Sequence, residues 1–325
     1  MSTGDEIAIR VARGAEAARA AEAFLRMPPT VGEAHGRARP AAGHGTSRSR
    51  ARVAHTVLAV RAGEIVGVCG WDPGAGRCAT VLAPRMAEWD EAVAGRLIRL
   101  AAAAAAEDGA RFIQAVAEPE GRSPLACAIA RAGMERLAVL AYLRRAVTEA
   151  DARTPGPKGI VWKRWTAWRR RKFARTIART YAGSLDCPAM AGLRTADDAI
   201  ATHRAAGVFR AWAWHLAMEG GEAVGVVLTS EVEGRGDLVY LGVVPEARGR
   251  GIGRSLVGQA IRDTARMGLP VLAVAVDTRN TPAVRLYARA GFKEVRRRLV
   301  FFVPKERLAA LCGAPDDNAP RERGG

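Results

Sequence analysis

From 243 to 253 the chain reads Val-Val-Pro-Glu-Ala-Arg-Gly-Arg-Gly-Ile-Gly, with glycines at 249, 251 and 253 just beyond an apolar run, Leu238–Val244. Glycines spaced this closely, where a strand passes into a helix, let backbone N–H groups approach an anion. The positive end of the helix dipole adds to the attraction. The chemistry this loop suits is the binding of a pyrophosphate. It is neither a Gly-x-Gly-x-x-Gly dinucleotide fingerprint nor a P-loop ending in Gly-Lys-Ser/Thr.

The elements around the loop can be read from periodicity and punctuation. Leu238–Val244 is a strand that stops at Pro245, and a helix follows over Gly251–Met267, with Ile252, Leu256, Ala260 and Ile261 on one face and Gly268 as its stop. Val271–Val276 is continuously apolar, as expected of a strand buried on both faces. Thr281 as N-cap, Pro282 in the first turn and Gly291 past the end frame the next helix, and Lys293–Val303 forms a closing strand. Upstream, Ile160–Ala167 reads as a strand, Arg169–Tyr181 and Thr195–Ala206 as helices, and Trp212–Met218 with Ala223–Ser230 as a hairpin across Glu219-Gly-Gly-Glu222. Hairpins early and alternating strands and helices late define a mixed α/β class.

With the loop so placed, the chain resembles the GNAT acyltransferases, whose signature is Gln/Arg-x-x-Gly-x-Gly/Ala. Arg248, Gly251 and Gly253 fill it, and Asn280 followed by Tyr287 inside NTPAVRLYARAGF matches the family's second hallmark. The resemblance covers Ile160 to Val303. It implies a mostly antiparallel sheet splayed between its fourth and fifth strands, with acetyl-CoA as cosubstrate. Leu241, Gly242 and Val243 would then line the pantetheine and acetyl group, and Gly249, Arg250, Gly251, Ile252, Gly253 and Arg254, with Arg248, would hold the pyrophosphate. A backbone N–H near Val243 would stabilise the developing oxyanion. Tyr287 is the implied general acid; packing on the apolar face beside Val284 and Leu286 is the structural alternative. Asn280 either contacts the cofactor or caps the turn. Asp237 is a candidate base: strict two-residue alternation puts 237, 239, 241 and 243 on one face, although a solvated turn acid fits the same position.

Acceptor selectivity in the family comes largely from the segment between the first two helices. Here that is Tyr181-Ala-Gly-Ser-Leu-Asp-Cys-Pro-Ala-Met190, followed by His203. Tyr181, Ser184 and Asp186 offer hydroxyls and an anion for an ammonium group, or simply cap helix ends. The implied reaction is direct attack of a primary amine, on a small molecule, upon the acetyl group. Acetylation of a protein N-terminus or lysine is the alternative within enzymes. A non-catalytic acetyl-CoA-binding or RNA-associated module is the alternative outside them.

The N-terminal half carries a faint copy. Leu58–Gly70 and Leu216–Leu228 share seven of thirteen residues at an offset of 158, and the same offset sets Ala130-Arg-Ala-Gly133 on Ala288-Arg-Ala-Gly291. It sets Arg248 on Asp90, Gly249 on Glu91, Gly251 on Val93, Asn280 on Arg122 and Tyr287 on Ile129. Acids replace an anion-binding loop, so the first copy is expected to be degenerate. The expected organisation is a degenerate domain over 1–150 with a long loop at 28–52, a linker at 151–159, a catalytic domain over 160–311 and a disordered tail at 312–325.

Composition narrows the class. The 325 residues include 49% hydrophobics and carry a net charge of +17, nearly all from arginine. No signal-like or membrane-spanning apolar run appears, so the expected compartment is the cytoplasm. Five cysteines without a Cys-x-x-Cys pair suggest neither a disulfide framework nor a metal site. The excess charge suits the phosphates of a nucleotide ligand or a generally basic surface better than nucleic acid, since no RNA-binding aromatic motif accompanies it. Basic and aromatic residues interleave only over Lys163–Lys172 (KRWTAWRRRK). The acceptor and the oligomeric state are not encoded in any motif.

Overall fold

Strand β1 (Ala8–Val11) and helix α1 (Ala15–Arg26) precede a hairpin of β2 (Thr56–Arg61) and β3 (Glu64–Gly74). Its two turn residues, Ala62 and Gly63, have φ of 49° and 85°, the twist that lets two strands fold tightly back on each other. There follow β4 (Cys78–Val81), β5 (Arg85–Met86), α2 (Glu91–Glu107), β6 (Phe112–Ala117), α3 (Pro124–Arg131) and β7 (Glu135–Ala146). The short helix α4 (Glu149–Arg153) leads to β8 (Val161–Arg164), α5 (Arg170–Tyr181) and α6 (Ala196–Ala205). The chain then runs through β9 (Trp214–Glu219), β10 (Glu222–Val232), β11 (Arg235–Val243), α7 (Ile252–Arg266), β12 (Val271–Asp277), α8 (Thr281–Arg289) and β13 (Lys293–Phe302). The hairpins β2–β3 and β9–β10 have identical lengths and lie 158 residues apart, so the sequence repeat is a structural repeat.

The computed structural model describes residues 6–13, 15–27, 55–119, 123–153, 159–190, 195–304 and 307; the loop expected over 28–52 and the tail from 312 lie outside the described residues. Two compact units emerge, and their bounds differ from the linear division expected from the linker. One takes the described residues through Leu137 and those from Leu299 onward, and the other takes Ala138–Arg298. Each repeat therefore gives its last strand to the other unit. Leu140–Ala146 of β7 pair antiparallel with Val271–Asp277 of β12 in the second unit, while Leu299–Phe302 of β13 pair antiparallel with Gln114–Ala117 of β6 in the first.

In the first unit, Leu97, Ile98, Ile113, Ala128 and Ile129 pack with Phe301 and Val303 into one core. β4 and β6 run parallel and stay paired through four successive positions, Cys78↔Phe112 to Val81↔Ala115, with Gln114 Nε2 donating to Thr80 Oγ1 at 3.1 Å across them. Asp90 caps α2, its carboxylate accepting from the N–H groups of Ala92 and Val93 at 2.8 and 3.0 Å.

The second unit has two apolar layers. α7 covers one face of the sheet through Ile252, Leu256, Val257 and Ala260, packed with Leu238, Leu272, Val274 and Val276. α5 covers the other through Phe173 and Ile177, joined by Trp165, Trp214 and Leu216. Trp165 and Trp214 meet edge to face at 5.3 Å, the favoured geometry for two quadrupoles. Of the tryptophans in the basic stretch, Trp165 is thus a core residue, whereas Trp168 is 96% exposed.

Candidate active site

β11 and β12 are parallel neighbours that pair only at Gly236↔Leu272 and Asp237↔Ala273. Beyond these positions the strands part, and the gap between them becomes a cleft of 1260 Å³. Its walls include Leu238–Val243 from β11, Val274–Val276 from β12, the turn into α7 and one face of α8. The corresponding strands of the first unit stay paired and leave no such gap at those positions.

β11 also carries a bulge. Leu228↔Tyr240 and Thr229↔Leu238 are consecutive pairs with β10, so Val239 is the extra residue. The bulge corrects the alternation read from sequence. Val239 and Tyr240 both pack toward the α5 layer, whereas Leu238, Leu241 and Val243 pack toward α7. Asp237 consequently does not share a face with 241 and 243. It lies where the two strands are still paired, outside the cleft lining, 3.6 Å from Arg235. Burial lifts its pKa to about 6, with Arg235 pulling the other way.

The turn from β11 into α7 leaves open space beside a helix N-terminus. Gly249 and Gly251 have φ of 75° and 82°, and a side chain at either would point into open space. Gly251 is the N-cap of α7, so the first N–H groups of that helix lack intrahelical partners and are available to a phosphate. Gly253 serves packing: a Cβ there would lie 3.2 Å from Leu286 of α8. Gly242, expected to line the pantetheine, has the same structural need, since a Cβ would sit 2.6 Å from Thr180 Oγ1.

Arg248 departs most from the expectation. Its guanidinium donates to the carbonyls of Thr180, Ala182 and Gly183 at 3.0, 2.8 and 3.0 Å, and to that of Val243 at 3.2 Å. It ties the glycine turn to the open C-terminal end of α5, where unpaired carbonyls favour a cation. Arg250 is engaged by Glu219 at 2.6 Å and does not line the cleft, whereas Ile252 and the exposed Arg254 do. Six arginines and two aspartates line the cleft, which makes it attractive to a polyanion. Among them Arg285 and Arg289 on α8 are residues the motif did not identify.

α8 starts one residue earlier than expected. Asn280, not Thr281, is its N-cap, and Oδ1 accepts from the N–H of Ala283 at 3.3 Å. From this start, two turns on, Tyr287 faces the cleft while 5% exposed, its ring edge-on to Phe292 at 5.5 Å. Burial, and then the carboxylate of Asp186, push its pKa upward, so the phenol stays protonated at neutral pH.

Tyr181, Ser184 and Asp186 line the same cleft as the glycine turn and Tyr287. Ser184 Oγ accepts from the N–H of Asp186 at 3.1 Å, and Asp186 Oδ1 accepts from the N–H of Asp277 at 3.1 Å. Cys187 closes this knot with φ of 46°, its N–H donating to Asp277 Oδ2 at 3.3 Å. Burial and the nearby carboxylates raise the Cys187 thiol, which removes it as a nucleophile. Against the upward push of burial, the Arg279 guanidinium and the N–H groups of Arg279 and Cys187 hold Asp277 low. Tyr240 is a cleft residue that alternation concealed: its hydroxyl is 2.6 Å from Thr180 Oγ1, and its ring meets Tyr181 and His203 at 5.9 and 5.0 Å.

Residues 168–292 match the acetyltransferase (GNAT) family, so the second unit contains a GNAT domain with its split strands and glycine turn inside the match. Mycothiol acetyltransferase of Streptomyces bingchenggensis is 42% identical over 88 residues, and that of Actinosynnema mirum is 30% identical over 175 residues. These alignments cover 26% and 53% of this chain and 29% and 57% of the two relatives, less than two thirds in either case. Across 91% of the chain the fold is similar to a GCN5-related N-acetyltransferase from Sphaerobacter thermophilus, at a TM-score of 0.58 and 17% identity, covering 95% of that chain. A tandem GNAT protein of the clavulanic acid biosynthesis pathway gives 0.53 and 16%, covering 92% of this chain and 99% of that one. Among the described residues no helix is long and apolar enough to cross a membrane.

Proposed function

We propose that the chain is an acetyl-CoA-dependent N-acetyltransferase that acetylates a primary amine of a small molecule in the cleft of its second unit. The observation that carries this reading is the parting of β11 and β12 directly above a glycine turn and beside Tyr287. The opened edge of β11 offers backbone groups to an extended amide-bearing arm, and the positive-φ glycines leave room for a pyrophosphate at the start of α7. Those features fit the cosubstrate, which supplies a thioester as acyl donor. The small-molecule acceptor is favoured by the relatives above, which are named mycothiol acetyltransferases.

In this mechanism β11 and the α7 turn orient the donor, and Asp186 draws the acceptor's ammonium into the cleft. Loss of the ammonium proton to solvent water in the open cleft frees the amine lone pair for attack on the acetyl carbonyl. A backbone N–H of β11 near Val243 stabilises charge on the carbonyl oxygen. Tyr287, kept protonated by burial, delivers its proton to the departing sulfur. Asn280 starts α8 at the position that aims Tyr287 into the cleft.

We propose further that the first unit binds no acetyl-CoA. Its β4 and β6 are paired where β11 and β12 part, and Asp90 already occupies the N–H groups at the start of α2. Calorimetric titration with acetyl-CoA tests both readings. One site per chain, lost in Gly251→Glu, is expected; two sites would overturn the second reading, and none would overturn the first.

A further inference from the structure

A second concavity of 580 Å³ lies in the same unit, formed by β8, the turn after it, β9 and the C-terminal part of α7. Its charge is one-sided. Lys163 and Arg164 come from β8, Arg169 from the turn that follows, and Arg262 and Arg266 from successive turns of α7, and no carboxylate lines it. The carboxylate nearest these groups, Asp263, is fully buried. It is occupied by His215 Nε2 at 2.8 Å and Gln259 Nε2 at 2.9 Å, with Arg266 at 3.9 Å.

A basic run on a protein surface is ordinarily a solvated face. Here the floor is built and buried. Arg262 is 6% exposed and Gln259 6%, and the guanidinium donates to the amide oxygen at 2.7 Å. The side chain of Gln259 is thereby fixed between Asp263 and Arg262, and Arg262 borders both this concavity and the cleft. Five cations against one buried carboxylate is an arrangement that folding alone disfavours, since like charges in a recess repel. Trp162 lines the recess, and Trp168, beside Arg169, exposes 96% of its surface. Of the two, Trp162 offers an aromatic ring next to the cations. The volume is in the range of small-ligand sites, roughly 300–1,000 Å³.

We propose that this recess is a second ligand site, taking a small molecule that carries two or more phosphate groups, such as a nucleoside polyphosphate. The five cations hold the phosphates, and Trp162 supplies surface for a planar ring. This proposal does not depend on the reading of the cleft.

The test is calorimetric titration of the full chain with inorganic tripolyphosphate and, separately, with ATP, on wild-type and Gly251→Glu protein. One site per chain is expected in Gly251→Glu, because the glycine turn takes no part in the recess, and wild type adds the cleft as a second site. Affinity should fall at least about tenfold in the double variant Arg169→Ala/Arg266→Ala, as loss of two charge-assisted contacts requires. Acetyl-CoA affinity should stay unchanged in that variant. Lys163→Gln, with a thermal melt to check folding, serves the same purpose should the double variant fail to fold. Loss of polyphosphate binding in Gly251→Glu would place the anion in the cleft and overturn the proposal. So would unchanged affinity in folded variants. Tight binding of a short RNA with no binding of either small phosphate would overturn it in favour of a nucleic-acid surface.

Discussion

The guanidinium of Arg248 donates to the carbonyl of Ala182 at 2.8 Å, joining the turn before α7 to the end of α5. These segments are 66 residues apart in sequence, and the bond fixes the phosphate-side turn against the acceptor-side loop. Arg248→Ala should lower stability by about 2 kcal/mol, the range for losing several charge-assisted hydrogen bonds at a partly solvated position. It should weaken acetyl-CoA binding through misplacement of the turn. Urea unfolding and calorimetry on the same variant measure the two effects.

Gly251 has φ of 82° and open space where a side chain would point. Gly251→Glu should cost about 1 kcal/mol in stability from the left-handed backbone. The carboxylate it places at the N-terminus of α7 should weaken acetyl-CoA binding by about 100-fold or more. A binding loss no larger than that of Gly251→Ala would show that charge is not the cause.

Tyr287→Phe keeps the packing against Phe292 and removes only the proton donor. Turnover should fall about 10–100-fold, while acetyl-CoA affinity and the melting temperature stay near wild type. Steady-state kinetics with an acceptor found by screening provide the readout. Unchanged turnover would remove Tyr287 from the mechanism.

Asp237 has a folded pKa near 6, above its ordinary value, because burial disfavours the carboxylate. A raised acid pKa means that folding favours the protonated form. Its stability advantage is therefore full below the unfolded value of about 4 and is lost as pH rises through about 6. Asp237→Asn should stabilise the protein by about 1–3 kcal/mol at pH 7, with the difference from wild type vanishing below pH of about 4. Because Asp237 does not line the cleft, its turnover should stay within about twofold of wild type. Unfolding curves across pH and the same kinetic assay check both statements.

Asp90→Ala should cost about 1 kcal/mol through loss of the cap on α2. It should leave acetyl-CoA stoichiometry at one, since β4 and β6 remain paired. A second site appearing in this variant would show that only the capping carboxylate closes the first unit.

Much of this was legible in local sequence. The 158-residue offset found from thirteen positions reappears in the hairpins, because two strands and a tight turn are specified by neighbours. The glycine turn was legible for the same reason: positive φ demands glycine at 249 and 251 whatever surrounds them. The face of Asp237 was misread because alternation is a local rule, and the extra residue at Val239 arises from register with β10. Gly242 and Arg248 match the motif in sequence, yet their reasons, Thr180 at one and the end of α5 at the other, lie across the fold.

By itself, then, the sequence determined the repeat, the order of the main strands and helices of the second half and the glycine turn, all set by residues within a few positions of each other. Tertiary structure alone decided where β11 parts from β12 and which sheet receives each closing strand. β7 and β13 are both long strands closing equivalent repeats, so either could complete either sheet on local grounds. Their exchange is fixed by pairing with β12 and β6, which lie far from them in the chain.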